Sequence, residues 1–226
     1  MIESFGIFHI YRIYGGHILE KIAVTKRREV EALKRLIPAE ELRLRAMGAA
    51  CPVNSMKYSI SERKFAIIAE HKRRTPSKGE ISPMSEVGDV AEAYLCNGAA
   101  AMSVLTDTSY FGGSLDDLAT AWAMAPRLPL LRKEFIVDEY QLFQARIFGA
   151  DAVLLIASML DGETLRSLHA WTGDSCRTPF CRRTFQAAAG CRHCRNQQPG
   201  PYILQHRHFK LYASGRHASC GYSESG

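Results

Sequence analysis

Glu70, Lys72 and Lys133 are the residues of this chain best placed to do chemistry. The apolar run Phe65–Glu70 leads into Glu70-His71-Lys72-Arg73-Arg74, and Leu128–Leu131 leads into Arg132-Lys133-Glu134. Side chains two apart on a strand share a face, so Glu70 points with Lys72, and Leu131 with Lys133 and Phe135. These are the first and third strands of a series. If the sheet closes as a barrel, odd strands fill common layers and the three charges converge at its mouth. Two ammonium groups facing one carboxylate suit a substrate with anionic groups. A lysine crowded by a second cation and by burial has its pKa lowered, which makes it a proton donor near neutrality. Taken alone, His71–Arg74 also reads as an exposed basic loop, and Lys133 as an exposed residue between Arg132 and Glu134.

The elements that must position these groups follow from periodicity. Ile18–Ile37 is predicted as an amphipathic helix with Ile18, Ile22, Val30, Leu33 and Leu36/Ile37 inward and the run Lys26–Arg28 on a solvated face. Pro38 closes it, and Ala39–Met47 reads as a second short helix. From Phe65 strands and helices alternate. The strands are Phe65–Glu70, Ala99–Leu105, Leu128–Leu131 and Ala152–Ala157; the helices are Val87–Asn97, Leu115–Ala125, Glu139–Phe148 and Gly162–Ala170. Ser114 with Asp117 forms a capping box, and Asp138 and Asp161 are N-caps. Thr106–Gly113 reads as a loop. Four strand–helix units with short connections predict a parallel sheet with right-handed crossovers. No dinucleotide glycine fingerprint is present, which favours a barrel over an open doubly wound sheet.

Composition divides the chain. Residues 1–170 balance 21 basic against 21 acidic residues, whereas residues 171–226 hold 8 basic residues against Asp174 and Glu224, so the net +6 lies in the tail. Five of the seven cysteines are there too. The tail has few aliphatic residues and no sustained period, so by pattern it is loop. Cys176, Cys181, Cys191 and Cys194, with His193, His206 and His208 nearby, have the residue types of a zinc site, but only Cys191–Cys194 has knuckle spacing. Reduced thiols without metal are the simpler reading, and no nucleic-acid partner is expected. No apolar run approaches the ~18 residues of a membrane helix. The N-terminal Met1-Ile2-Glu3-Ser4 lacks a secretory pattern, and a cytoplasmic protein is expected. The expected organisation is a helical extension at 1–46, the N-terminal half of a barrel at 47–170, and a basic Cys-rich tail at 171–226.

Five motifs in order carry a resemblance. They are Glu70-x-Lys72-x-x-Thr75-Pro76-Ser77-Lys78-Gly79, Ser103–Asp107, Tyr110–Ser114, Leu130–Tyr140 and Gly149–Ala157, preceded by Ile18–Ile22 with Lys26–Val30. Together they resemble indole-3-glycerol phosphate synthase, the ring-closing decarboxylase (a carboxy-lyase) of tryptophan biosynthesis, over about residues 18–170. The resemblance implies an α/β fold of (β/α)8 TIM-barrel type, incomplete here, with four βα units recognisable. It implies Lys133 as general acid, Lys72 as holder of the substrate carboxylate, and Glu70 on the nitrogen side. Phe111 and Phe135 would flank the aromatic ring and Ser77 would line the mouth. Without it, Phe111 and Phe135 read equally well as core aromatics. The implied substrate is 1-(2-carboxyphenylamino)-1-deoxyribulose 5-phosphate, converted without metal or organic cofactor.

The resemblance fades after Trp171. The family's later strands carry a Glu in a Val-Glu-x-His context, an Asn-Asn-Arg motif and two phosphate-binding turns. Here Phe180-Cys-Arg-Arg-Thr184 and Arg195-Asn-Gln-Gln-Pro199 stand instead. Codons for residues 196–202 read one nucleotide later permit Ile-Asn-Asn-Arg-Asp-Leu-Thr, so a shifted reading frame from about Thr172 is expected. The final Ser223-Glu224-Ser225-Gly226 resembles the family's seventh-strand motif, which would make Ser225 and Gly226 substrate-binding. An inactive frameshifted product and a zinc-binding tail are the competing readings. Half a barrel would expose the strands Phe65–Glu70 and Ala152–Ala157 as edges, and self-association through them is expected.

Overall fold

The structure is a computed structural model that describes residues 15–49, 53–75, 79–81, 85–172 and 186–187. Two helices lead, α1 (Gly15–Leu36) and α2 (Ala39–Gly48), followed by the single-turn-and-a-half α3 (Met56–Ser61). The α/β series then runs β1 (Ile68–His71), β2 (Arg74–Thr75), β3 (Gly79–Glu80), α4 (Val87–Cys96), β4 (Ala101–Leu105), α5 (Thr108–Phe111), α6 (Leu115–Met124), β5 (Leu130–Lys133), α7 (Glu139–Ile147), β6 (Ala152–Val153), a 3-10 turn (Ala157–Met159), α8 (Gly162–Thr172) and β7 (Gln186–Ala187).

Five strands form one sheet in the order β1-β4-β5-β6-β7, every pairing parallel. Among the described residues the sheet is not closed, as in an incomplete barrel. Alternation sorts its faces. Met102, Val104, Leu130 and Val153 pack outward under Val87, Ala91, Leu118, Leu142 and Leu168 of the helices. Ala101, Leu131 and Ala152 form the inner face, closed at the bottom by Met56 and Ile60 of α3. The helix termini follow the predicted chemistry. Ser114 and Asp117 make the reciprocal capping box of α6, and Asp138 with Gln141 makes that of α7. Asp161 accepts from the amides of Glu163 and Thr164.

Several expectations need correction. The first strand starts three residues late, because Phe65 is 63% exposed and outside the ladder. The fourth is only Ala152–Val153, since Ala157–Met159 turns into a 3-10 helix. Thr106–Gly113 is not all loop: Asp107 caps α5 by accepting from the amides of Tyr110 and Phe111. β2 and β3 pair antiparallel within the segment after β1. The tail supplies β7, whose backbone pairs with β6, so β6 is not an open edge. A two-residue ladder uses only backbone groups, so no side-chain pattern announces it.

α1 departs furthest from its predicted pattern. Its buried stripe is Ile22, Ala23, Lys26 and Val30, while Ile18, Leu33 and Leu36 are exposed. Arg27 and Arg28 are solvated as expected, but Lys26 is 5% exposed. Besides Glu29 one turn on, its partners are Asp107 and Glu134, more than 70 residues away in sequence, which no local pattern reveals.

Candidate active site

The site lies at the carboxyl ends of β1, β4 and β5. Register places Glu70 beside Ser103, and Ser103 beside Leu131, with Leu105 beside Lys133 one step higher. Glu70 and Lys133 therefore rise from alternate strands into one layer. The Lys133 Nζ donates to Glu70 Oε2 at 2.5 Å, and the Lys72 Nζ donates to Glu70 Oε1 at 2.8 Å. One carboxylate thus gathers both ammonium groups. Burial alone would raise the Glu70 carboxyl, but Lys133 and then Lys72 outweigh it and hold it below the usual carboxylate range. The three side chains remain about a quarter exposed, so they are open to a ligand from the mouth.

The basic run around Lys72 is not an exposed loop. His71 is buried against Ser85 Oγ, and burial followed by the Arg73 guanidinium holds its pKa below the usual imidazole value. Arg73 forks onto both oxygens of Asp117, with Nη2 2.7 Å from Oδ1, and ties the end of β1 to the start of α6. Arg74 donates to the carbonyls of Thr108 and Ser109 at 2.7 and 2.6 Å. Only Lys72 of the four turns to Glu70. Tyr94 of α4 donates to the Glu70 carbonyl from the outer side.

Phe111 and Phe135 are brought together, with ring centroids 6.1 Å apart and planes tilted 35°. Tyr110 meets Phe135 edge-on at 6.5 Å. A flat ring sandwiched between two others needs about 7 Å between them, at about 3.5 Å per contact. The pair therefore forms one aromatic wall in this structure. Gly112 adopts φ +67°, and a Cβ on Gly113 would sit 2.0 Å from the Leu105 carbonyl oxygen. Glycine at both positions lets the chain from α5 press against the end of β4, which fixes where Phe111 can stand.

The expected site residues Ser77, Ser225 and Gly226 lie outside the described residues, as do the tail cysteines. Among the described residues no group of three or more His, Cys, Asp or Glu side chains could hold a metal ion. Two features escaped sequence reasoning. Ser103, level with Glu70, has a buried hydroxyl without a hydrogen-bond partner. Lys26 of α1 reaches Asp107 and Glu134, and the run Lys26–Arg28, which reads as a solvated face, gave no sign of it.

Residues 19–175 match the family described as Indole-3-glycerol phosphate synthase. The chain belongs to the indole-3-glycerol phosphate synthase family. Relatives bearing that name include one from Bacteroides thetaiotaomicron, 45% identical over 151 residues, which are 67% of this chain and 57% of the relative. One from Neisseria meningitidis serogroup B is 49% identical over 157 residues, 68% of this chain and 60% of its own length. One from a Roseiflexus species is 45% identical over 160 residues, again 60% of its length. The chain thus spans under two thirds of the indole-3-glycerol phosphate synthases it matches. The family's TIM barrel accounts for the parallel sheet, open among the described residues. No described helix is long and apolar enough to cross a membrane.

Proposed function

We propose that this chain carries out indole-3-glycerol phosphate synthase chemistry, a decarboxylating ring closure of 1-(2-carboxyphenylamino)-1-deoxyribulose 5-phosphate. The observation that carries this reading is the junction of Lys72 and Lys133 on the single carboxylate of Glu70. The substrate presents an aryl carboxylate beside a secondary amine, and a ketone three bonds along. Lys72 takes the aryl carboxylate as its counter-ion. Lys133 donates a proton to the ketone oxygen as the ring carbon bonds to the ketone carbon. Carbon dioxide then leaves the same ring carbon and restores aromaticity, and the new hydroxyl departs as water. Glu70 accepts from the amine side and keeps both ammonium groups in place between turnovers. Phe111 and Phe135 offer the ring an apolar face, and Ser77, Ser225 and Gly226 complete the substrate contacts. No cofactor enters these steps.

The loss of water also needs a base, and residues 171–226 contain only Asp174 and Glu224 as carboxylates. Turnover is therefore expected more than tenfold below that of a full-length relative. Location in the cytoplasm, and self-association through the β1 edge, belong to the same reading. The test is to incubate the chain with the substrate and follow the indole fluorescence of the product. Slow product formation that Lys133→Ala abolishes is expected. Absence of product at any protein concentration, or product formation indifferent to Lys133→Ala, contradicts the proposal.

A further inference from the structure

Lys26 joins the two carboxylates that hold the site's aromatic residues in place. Its Nζ is 2.8 Å from Asp107 Oδ2 and 3.3 Å from Glu134 Oε1, with Glu29 completing its shell at 2.8 Å. Asp107, 1% exposed, uses its other oxygen to accept from the amides of Tyr110 at 2.5 Å and Phe111 at 3.2 Å. Glu134, also buried, accepts from the Phe135 amide at 2.9 Å and from the Thr106 hydroxyl at 3.0 Å. One ammonium on α1 thus bridges two carboxylates, Glu134 being shared with the buried guanidinium of Arg132 at 3.7 Å; Asp107 accepts from the amides of Tyr110 and Phe111, and Glu134 from that of Phe135. The same helix lays Ile22 and Ala23 in the cluster that contains Tyr110 and Phe135.

We propose that Lys26 is a positioning residue that sets the spacing of Phe111 and Phe135, so that docking of α1 and definition of the aromatic wall are one event. Without Lys26, Asp107 keeps no ion-pair partner among the described residues and Glu134 keeps only the longer contact to Arg132; a buried carboxylate that loses a cation must take a proton or find new partners, and either change loosens the amides it accepts from. The consequence for substrate rests on the synthase reading: Lys26 would discriminate for a flat aromatic ring without touching it.

Amide hydrogen exchange of the full chain tests the arrangement without any ligand. Lys26→Met is expected to accelerate exchange at both Phe111 and Phe135 by tenfold or more, while Val104 and Arg132 in the strands change less than twofold. Asp107→Asn, which keeps an acceptor but loses the pairing with Lys26, should release Tyr110 and Phe111 and leave Phe135, and Glu134→Gln should release Phe135 and leave the other two. Should Lys26→Met fail to fold, these two variants decide the matter. Unchanged rates at both aromatics, or equal acceleration of strand amides, overturns the proposal. Binding then separates it from the functional reading. Lys26→Met should weaken 2-aminobenzoate about tenfold and inorganic phosphate less than twofold; equal weakening of both removes the specificity role. If the unaltered chain binds no 2-aminobenzoate, the synthase reading fails and the exchange rates alone judge the positioning role.

Discussion

Glu70 and Asp151 are carboxylates at opposite ends of the same parallel sheet, and their surroundings push them in opposite directions. Glu70 stands at the carboxyl ends of the strands with two ammonium groups on its oxygens, which hold it charged despite burial. Asp151 precedes β6 at the other end, buried, and accepts from the backbone amides of Asn54 at 2.6 Å and Leu130 at 2.8 Å. Burial dominates there and pushes Asp151 up to about 6. The difference is one of purpose. In a barrel, the carboxyl ends of the strands face substrate and the amino ends face only the fold. Charge paired with partly exposed side chains sits where a ligand can exchange with them. Charge with fixed backbone partners stitches α3 to β5.

Glu70→Gln is expected to have the largest effect. Both lysines lose their common anchor, and turnover should fall about a hundredfold, in line with removal of a positioned acid–base partner. Stability should change by less than about 1 kcal/mol, because the pairs are partly exposed. A steady-state assay alongside urea unfolding checks both halves. A loss of stability that accounts for the lost activity would make Glu70 a structural residue like Asp151.

The pH dependence of folding sharpens the contrast next. The raised Asp151 pKa contributes stability that is complete below its ordinary value of 3.8 and is lost as pH rises towards about 6. The size of that loss is up to about 3 kcal/mol. The lowered Glu70 pKa contributes stability present above the usual 4.5 and lost as pH falls through its folded value. Urea unfolding from pH 4 to 7 should therefore show a falling component that Asp151→Asn removes and Glu70→Gln leaves. Identical pH profiles for the unaltered chain and Asp151→Asn would contradict this account of Asp151.

The smallest effect belongs to the scaffold between the two ends. Ser114→Ala removes one half of the capping box on α6, at a cost of about 1 kcal/mol. Thermal melting should report it with no change in 2-aminobenzoate binding, since Asp117 keeps its fork from Arg73.

These regions also differ in how openly the sequence declared them. The Glu70-x-Lys72 spacing and the apolar strand before Lys133 placed the three charges on inward faces, because strand alternation is local and strict. Caps at Ser114, Asp138 and Asp161 were legible for the same reason: donor and acceptor lie within one turn. Lys26 was not legible. It sits in Lys26-Arg27-Arg28, which locally resembles a solvated face, and its partners Asp107 and Glu134 belong to other elements. Asp151 was equally silent, since its ligands are backbone amides of residues far along the chain. The one-turn α5 escaped because four residues are too few to show a period, although Asp107 was its cap in plain sight. Ser77, Ser225 and Gly226 stay as expectations from resemblance alone.

Lys72 and Lys133, gathered by Glu70, are expected to receive one anionic aromatic ligand. Titration of the unaltered chain, Lys72→Met and Lys133→Met with 1-(2-carboxyphenylamino)-1-deoxyribulose 5-phosphate, read by its fluorescence, tests it most directly. Each substitution is predicted to weaken binding at least tenfold, by about 1.4 kcal/mol or more. Binding of equal strength in all three proteins would contradict the account.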